Sequence, residues 1–283
     1  MTSFRTGGRA SMLVLPKNME ELKKTLKILD ISRMEFMVIG NGSNILILDG
    51  GYHGIIIKLG EGFETIKVNQ EDQTITAGAG ALMSRVSREA QEAGLTGFEF
   101  ASGIPGSIGG GLFMNAGAYG WEMSRVVREA RVLSRNGNKE YTMTREEMAL
   151  GYRTSIFEKK GDVVVSVTLQ LENGDKEEIG ATMKDLSNKR NEKQPVSFPS
   201  AGSFFKRPEG NFAGKLIEEA GLKGLTLGGA QVSPLHAGFI INTGGATTKD
   251  IIGLMRLVQN TVYDKTGIKL EPEVRIIGEE ARR

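Results

Sequence analysis

Short apolar runs alternate with polar turn segments along the first 170 residues, a pattern typical of strands joined by hairpins. Helical spacing appears at Leu22, Leu26 and Leu29, and Asn18 with Glu21 predicts a capped start for that helix. A second helix is predicted over 82–93, and Asn136-Gly137 predicts a type I′ hairpin turn. Helices that are interspersed among hairpin strands, without regular βαβ alternation, predict an α+β fold. Strands are predicted at 9–15, 36–39, 45–48, 55–57, 74–76, 126–134, 139–144 and 163–171.

The character of the chain changes near Asn173-Gly174-Asp175. A long polar helix is predicted over 176–192, and a loop through Gly202-Ser203 follows it. Beyond this loop we expect helices at 213–220 and 248–265 and strands at 239–241 and 274–277. We therefore predict a domain boundary near 172–178, which separates a region 1–174, with subdomains at about 1–60 and 61–174, from a domain 175–283.

The composition narrows the class of protein. The 283 residues include 36 Lys and Arg against 34 Asp and Glu, so the chain lacks the basic excess of a nucleic-acid binder. Cysteine is absent and there are two histidines, His53 and His236, which excludes disulfides, cysteine metal sites and thiol nucleophiles. No apolar run approaches the roughly 20 residues of a membrane span. The start of the chain lacks the apolar core of a signal peptide, so we expect a cytoplasmic protein.

Glycine is the residue type that departs from the average. The 38 glycines among 283 residues are about 13% of the chain, against a usual share of about 7%. Clusters of glycine are typical of places where the backbone must turn with positive φ or approach another group closely. The cluster Gly40-Asn41-Gly42-Ser43-Asn44 can direct several N–H groups at a pyrophosphate. A tight hairpin turn is the alternative. It is not a Rossmann fingerprint, because Ile45 occupies the third glycine position and a strand follows.

A second glycine-rich stretch runs from Ser102 to Gly120. Glycines recur at 103, 106 and 109, and no Lys-Ser/Thr pair follows, so the stretch is not a P-loop. A long loop with few side chains can pack against a large flat ligand. A closely packed helix start after a turn is the alternative. Two such clusters together predict a dinucleotide cofactor that is bound outside the Rossmann scheme.

Four further motifs follow the two clusters, at 152–157 (Tyr-Arg-x-Ser-x-Phe), 199–208 (Pro-Ser-Ala-Gly-Ser-Phe-Phe-Lys-Arg-Pro), 236–242 (His-Ala-Gly-Phe-Ile-Ile-Asn) and 270–275 (Leu-Glu-Pro-Glu-Val-Arg). In this order they resemble the UDP-N-acetylenolpyruvoylglucosamine reductases over essentially the whole chain. The short stretch between Arg153 and Ser203 leaves no room for an extra substrate-closing loop, and Arg207 stands where the long subtype has Asn. The chain therefore resembles the short, second subtype.

The resemblance implies a fold, a cofactor and a reaction. The fold is an FAD-binding domain of the vanillyl-alcohol-oxidase/PCMH type, plus a smaller α/β substrate-binding C-terminal domain. NADPH reduces FAD, which then gives hydride to the enolpyruvyl β-carbon of UDP-N-acetylglucosamine enolpyruvate, so that UDP-N-acetylmuramate forms for peptidoglycan. FAD is expected to be non-covalent, because cysteine is absent and neither His53 nor His236 lies in a glycine cluster. The implied cofactor-binding residues are Gly40, Asn41, Gly42, Ser43, Asn44, Gly103, Ile104, Pro105, Gly106, Ser107, Gly109, Asn115, Gly117 and Ala118.

Three residues are the catalytic candidates. Arg153 offers a permanent, fork-shaped charge to the substrate carboxylate, although a surface loop arginine is the alternative. Ser203 suits proton donation to the α-carbon, with a plain turn serine as its alternative. Glu273, predicted to share a strand face with Glu271 and Arg275, could polarise the enol system or hold a proton, or simply lie on an exposed face.

The UDP diphosphate needs cations, and the resemblance implies Lys193, Arg207 and Lys223 for this task. Arg275 is a further substrate-binding candidate, and His236 is a candidate for contact with substrate or the nicotinamide, with a core or strand-end histidine as its alternative. The expected partners are the UDP-sugar and NADPH. No nucleic acid, membrane, metal or obligate protein partner is expected. Two alternative functions are another flavin-dependent oxidoreductase on the same cofactor domain and a non-catalytic nucleotide-sugar binding module.

Overall fold

A computed structural model describes residues 2–281 of the chain. Its helices are α1 (Met19–Ile31), α2 (Met83–Glu92), α3 (Ile108–Phe113), α4 (Phe157–Lys160), α5 (Lys176–Lys193), α6 (Ala213–Glu219) and α7 (Thr248–Thr266), with 3₁₀ turns at Glu99–Ala101 and Met123–Arg125. Its strands are β1 (Ala10–Val14), β2 (Phe36–Ile39), β3 (Ile45–Ile47), β4 (Tyr52–Lys58), β5 (Ile66–Asn69), β6 (Thr74–Gly78), β7 (Leu95–Thr96), β8 (Gly117–Ala118), β9 (Trp121–Glu122), β10 (Val127–Leu133), β11 (Glu140–Thr144), β12 (Val163–Gln170), β13 (Glu172–Asn173), β14 (Thr226–Leu227), β15 (Ala230–Val232), β16 (Ile240–Asn242) and β17 (Arg275–Ile277).

These elements belong to two units. The larger unit comprises Met12–Asn41 and Gly54–Lys189, and the smaller unit comprises Met1–Ser11, Gly42–His53 and Arg190–Arg283. Each unit has a hydrophobic core of its own. The functional division that we expect near residue 174 remains a prediction.

An antiparallel sheet of five strands, in the order β11-β10-β12-β6-β5, is the centre of the larger unit. In the second half of its strand β12, Val165, Val167 and Leu169 are buried and alternate with more exposed residues, which explains the two-residue period there. A separate sheet has the order β1-β4-β2, in which β2 and β4 run parallel. Helix α1 begins where predicted, since the Asn18 side chain accepts a hydrogen bond from the Glu21 N–H at 2.9 Å. Its residues Leu22, Leu26 and Leu29 are buried in the core, as predicted.

The smaller unit pairs β14, β15 and β16 in an antiparallel sheet and pairs β17 with β3 in parallel. Helix α7 starts with a reciprocal capping box between Thr247 and Asp250. These backbone and side-chain bonds hold the pKa of the Asp250 carboxyl below its ordinary value. The helix buries one apolar face in the core of the unit, which includes Leu254, Val258 and Val262. Among residues 2–281, no helix has both the length and the apolar character that a membrane crossing requires.

Two local predictions were wrong. The hairpin between β10 and β11 exists, but Gly137 alone has positive φ in its turn, whereas a type I′ turn needs two such residues. The strand alternation predicted to align Glu271, Glu273 and Arg275 is interrupted, because Pro272 makes only an isolated bridge to Phe205 and the chain bends at Val274 before β17 begins. Glu273 and Arg275 therefore do not lie on one strand face.

Candidate functional site

The first and second glycine clusters meet within the larger unit. A Cβ atom at Gly40 would clash with the side-chain oxygen of Ser107, so the end of β2 lies directly against the start of α3. The Asn41 amide donates a hydrogen bond to the carbonyl oxygen of Pro105 at 2.6 Å. Segments that are 64 residues apart in sequence thus form one surface with few side chains.

Helix α3 begins inside the second cluster, with Ser107 as its N-cap. Two of its glycines are explained by packing: a Cβ atom at Gly109 would lie 2.7 Å from the Ala79 Cβ, and one at Gly111 would lie 2.7 Å from the Met83 sulfur. The alternative of a closely packed helix start therefore holds for these two positions. Gly110 differs, because its Cβ would meet only the Ser107 Oγ, at 3.4 Å.

This surface fits a flat cofactor such as FAD at the side of Gly110, where a glycine is costly for a helix and no protein atom requires it. A second sign is the hydroxyl of Ser102, which is buried without a hydrogen-bond partner within the described part of the chain. The backbone N–H of Gly109, in contrast, already donates to the carbonyl oxygen of Ala79 at 2.9 Å. Gly110 and Ser102 are not among the residues predicted from the sequence, although both lie in the glycine-rich stretch from Ser102 to Gly120.

Several other cofactor candidates also lie in the larger unit. Gly106 accepts a hydrogen bond from the Met83 N–H at 3.0 Å, and the Ile104 N–H donates to Ala101 at 3.1 Å. Gly117 and Ala118 form β8, where a Cβ atom at Gly117 would clash with the backbone of Trp121. Contacts of these residues with a cofactor remain predictions, as do those of Gly103 and Pro105.

Arg153 lies in a tight turn that places it against the second cluster. Gly151 and Thr154 pair across this turn, and Arg153 has φ +55°, a conformation that favours glycine or asparagine. Its guanidinium donates to the carbonyl oxygens of Asn115 and Gly117, both at 3.4 Å. Strain of this kind in a charged residue is typical of functional positions.

The Asn115 side chain is hydrogen-bonded to the turn that carries Arg153. It is fully buried with φ +41°, its amide donates to the Gly151 carbonyl at 3.0 Å, and its side-chain oxygen accepts from the Ser124 N–H at 2.9 Å. The amide nitrogen and the amide oxygen of Asn115 are thus both hydrogen-bonded to protein atoms. Its proximity to Arg153 supports a role in positioning that residue, while direct contact with a cofactor remains a prediction.

In the smaller unit, the remainder of the first cluster contacts the segment that carries Glu273. Gly42 has φ +65°, as a turn glycine should, and its carbonyl accepts from the Ser3 N–H at 3.1 Å. Ser43 follows it and is half-buried. The Asn44 amide donates to the carbonyl oxygen of Glu273 at 3.1 Å, and the Asn44 carbonyl accepts from the Arg275 N–H at 3.0 Å.

Ser203 and Glu273 lie on adjacent segments of the smaller unit. The Glu273 N–H donates to the carbonyl oxygen of Phe204 at 2.8 Å, which brings the residue after Ser203 beside Glu273. Ser203 is exposed and Glu273 is half-buried, while the aromatic rings of Phe204 and Phe205 anchor the segment in the core. The backbone therefore presents the serine on a rigid support, next to the carboxylate-bearing segment.

The basic candidates of the smaller unit lie on separate elements. Lys193 ends α5, the Arg207 guanidinium stacks on the Phe212 ring at 4.5 Å, and the Lys223 amine pairs with Glu218 at 2.7 Å. Their joint action on one diphosphate remains a prediction.

His236 is half-buried, and its ring Nδ1 accepts a hydrogen bond from the Gly238 N–H at 3.1 Å. Burial lowers the pKa of the imidazole, and Lys223 acts in the same direction. The ring is therefore neutral near pH 7 and can offer an uncharged polar edge. Whether it contacts substrate remains a prediction, as it does for Arg275.

Comparisons with known proteins match two parts of the chain to described families. Residues 10–140 match a family described as an FAD binding domain, and residues 194–277 match the C-terminal domain of UDP-N-acetylenolpyruvoylglucosamine reductase. These two matches confirm the predicted α+β architecture of a cofactor domain followed by a smaller domain.

Whole-length relatives are also found. A protein named UDP-N-acetylenolpyruvoylglucosamine reductase from Alkaliphilus oremlandii is 50% identical over 99% of this chain and 91% of its own length. A protein of the same name from Clostridioides difficile is 50% identical over 98% of this chain and 90% of its own length. The crystal structure of the reductase of that name from Thermus caldophilus is 36% identical with a TM-score of 0.83, covering 97% of this chain and 95% of that one.

Proposed function

Because the chain belongs to the UDP-N-acetylenolpyruvoylglucosamine reductase family, we propose that it reduces UDP-N-acetylglucosamine enolpyruvate to UDP-N-acetylmuramate, with FAD as cofactor and NADPH as reductant. The observation that carries this proposal is the 50% sequence identity to proteins named as this reductase, over nearly the entire chain. The product serves peptidoglycan precursor synthesis. The alternative of another flavin-dependent oxidoreductase has no observation in its favour.

When bound and reduced by NADPH, FAD would supply the hydride for the enolpyruvyl double bond, and oxidised FAD would remain. The protein must then stabilise negative charge on the substrate carboxylate and deliver one proton to the α-carbon. We assign the first task to Arg153, whose guanidinium is always charged and is pre-oriented by two carbonyl oxygens. The strained turn that carries it supports this role.

Proton delivery is assigned to Ser203. Its exposure, on a segment anchored by two buried phenylalanines, leaves the hydroxyl accessible while its position stays rigid. Glu273, on the adjacent segment, is the candidate for polarising the enol system or for holding the proton that reaches the serine. Lys193, Arg207 and Lys223 are proposed to bind the UDP diphosphate, because charge-assisted hydrogen bonds suit phosphate oxygens.

The test separates the two half-reactions on one sample. Purified protein should be yellow, its flavin band should fall when NADPH is added, and the band should return when the UDP-enolpyruvyl sugar is added. In Ser203→Ala, the fall should be near normal, while the return should slow by about 10²-fold or more. Ser203→Cys should restore part of the second rate, because a thiol can also donate a proton.

Two results would contradict the proposal. A colourless protein that takes up no FAD would support a non-catalytic binding module. A yellow protein that NADPH reduces, and that air reoxidises as fast as the UDP-sugar does, would support the other flavin-dependent class.

A cytoplasmic location also remains a prediction, which fractionation of cells expressing the protein would check.

A further inference from the structure

Ser155 belongs to the Tyr-Arg-x-Ser-x-Phe motif, and it has no role in the site described above. The residue is 4% exposed, and its hydroxyl donates a hydrogen bond to the carbonyl oxygen of Phe113 at 2.7 Å. Phe113 is the last residue of helix α3, where carbonyl groups have no partner within a helix. The hydroxyl therefore joins the motif to the end of the helix that begins in the second glycine cluster.

The turn that carries Arg153 lies between two bonds to the same end of α3. Gly151 and Thr154 close the turn, since each backbone N–H donates to the carbonyl oxygen of the other residue, at 3.1 and 3.3 Å. On the first side of the turn, the Gly151 carbonyl accepts from the Asn115 amide at 3.0 Å. On the second side, Ser155 follows Thr154 directly. Both flanks of the turn are thus bonded to residues at, or just beyond, the C-terminal end of α3.

The conformation of this turn needs external support. Arg153 has φ +55°, which is unfavourable for a residue with a Cβ atom, so such a turn relaxes unless surrounding bonds hold it. The two bonds from its guanidinium to the carbonyl oxygens of Asn115 and Gly117 are both 3.4 Å long, beyond the usual range for a strong hydrogen bond. The position of the guanidinium therefore depends on the shorter bonds at the flanks of the turn.

The chain after Ser155 is anchored independently of its hydroxyl. The Ile156 N–H donates to the carbonyl oxygen of Met148 at 2.8 Å, and the Phe157 side chain is buried in the core. Removal of the hydroxyl would therefore leave the segment in place and release only its link to Phe113.

We propose that Ser155 is a positioning residue for Arg153: its hydroxyl holds the turn against α3, so that the guanidinium is placed to stabilise the substrate carboxylate. The inference rests on the proposed function, in which Arg153 has this task. Ser155 is assigned neither a substrate contact nor a proton transfer. Its loss should slow only the half-reaction in which negative charge develops on the substrate, because reduction of the flavin by NADPH does not involve that carboxylate.

The kinetic test follows the flavin band of the holoenzyme through both half-reactions. In Ser155→Ala, reduction by NADPH should keep the parent rate, whereas reoxidation by saturating UDP-enolpyruvyl sugar should slow by roughly ten- to a hundredfold, as expected when a positioned group is displaced. The matched control is Ser87→Ala, because Ser87 is 1% exposed and its hydroxyl donates to the Phe98 carbonyl at 3.0 Å in the same unit. Both half-reactions of this control should keep the parent rates.

A double variant distinguishes positioning of Arg153 from a general loss of packing. Arg153→Ala removes the guanidinium, so the addition of Ser155→Ala to it should slow reoxidation no further. Independent effects would multiply instead, and a multiplied loss would overturn the inference. Equal slowing of both half-reactions in Ser155→Ala would overturn it as well, because a defect confined to Arg153 leaves reduction by NADPH intact.

A chemical readout on the holoenzyme needs no turnover. Phenylglyoxal modifies accessible guanidinium groups, and peptide mass mapping measures the extent of modification at each arginine. Arg153 should react faster in Ser155→Ala than in the parent, because the released turn no longer holds its guanidinium against the two carbonyl oxygens. Arg88, which is exposed on α2, should react equally in both proteins and serves as the internal reference. An unchanged rate at Arg153 would contradict the positioning role.

These outcomes differ from those that would contradict the proposed function. A parent enzyme that the UDP-enolpyruvyl sugar does not reoxidise counts against the proposed function itself. A parent enzyme that completes both half-reactions, together with a Ser155→Ala variant that keeps both rates, overturns only the inference. Flavin content and circular dichroism establish that each variant is folded. If Ser155→Ala loses its flavin, Ser155→Cys replaces it with the same expectations, because a thiol is a weaker hydrogen-bond donor than a hydroxyl.

Discussion

Replacing Gly110 by alanine tests whether this helix position needs glycine for packing within the protein or for close approach of the cofactor. In a helix interior glycine is about 0.5–1 kcal/mol less stable than alanine. The new methyl group would meet only the Ser107 Oγ, at the ordinary contact distance of 3.4 Å. We therefore expect the free energy of unfolding of the FAD-free protein to stay equal or rise by up to about 1 kcal/mol.

The affinity for FAD should fall in Gly110→Ala, although the free energy of unfolding of the FAD-free protein should not. If the open side of Gly110 faces the cofactor, the methyl group enters the space of the ligand, and overpacking of this kind costs about 1–3 kcal/mol. The dissociation constant of FAD should then rise by roughly 5- to 150-fold, because about 1.4 kcal/mol corresponds to a factor of ten. Urea unfolding of the apoprotein measures the first quantity, and quenching of FAD fluorescence on titration measures the second.

The neighbouring glycine provides the matched control. A methyl group at Gly109 would lie 2.7 Å from the Ala79 Cβ and 3.1 Å from the Ala79 carbonyl oxygen, so Gly109→Ala should destabilise the apoprotein itself by about 1–3 kcal/mol. FAD binding by Gly110→Ala as tight as that of the parent protein would exclude a cofactor contact at Gly110, because this side of the helix would then face solvent.

Three other variants test the site. Asn115→Ala should lower the free energy of unfolding by about 2–4 kcal/mol in urea denaturation, since two buried hydrogen bonds and a tolerated positive φ are lost, and a fall in kcat would reveal the displaced Arg153. Arg207→Ala should raise the KM for the UDP-sugar by about tenfold, with flavin content unchanged, and an unaltered KM would locate the diphosphate elsewhere. Acidification from about pH 7 to about pH 5 should destabilise the protein, because the unfolded chain protonates His236 near its ordinary pKa of 6.5 while burial keeps the folded pKa lower. His236→Gln should show a smaller loss of stability over that range, and an equal loss would exclude the imidazole as a cause.

Much of the secondary structure was determined locally. The Asn18 cap and the leucine spacing of α1 and the alternation within β12 all act within a few residues, so the sequence suffices to predict them. The order of the six motifs likewise indicated the family before any contact was known, because each motif is a short continuous segment.

Only the tertiary structure decided what the glycines do. Gly109, Gly110 and Gly111 are the same residue type in sequence, yet a Cβ atom would collide with Ala79 at the first and with Met83 at the third, and at Gly110 would meet only the Ser107 Oγ. The same holds for Asn115 and Arg153, whose positive φ and mutual contact depend on Gly151 and Ser124. These features arise from atoms brought together over 9 to 38 residues of chain, and no local pattern encodes such packing.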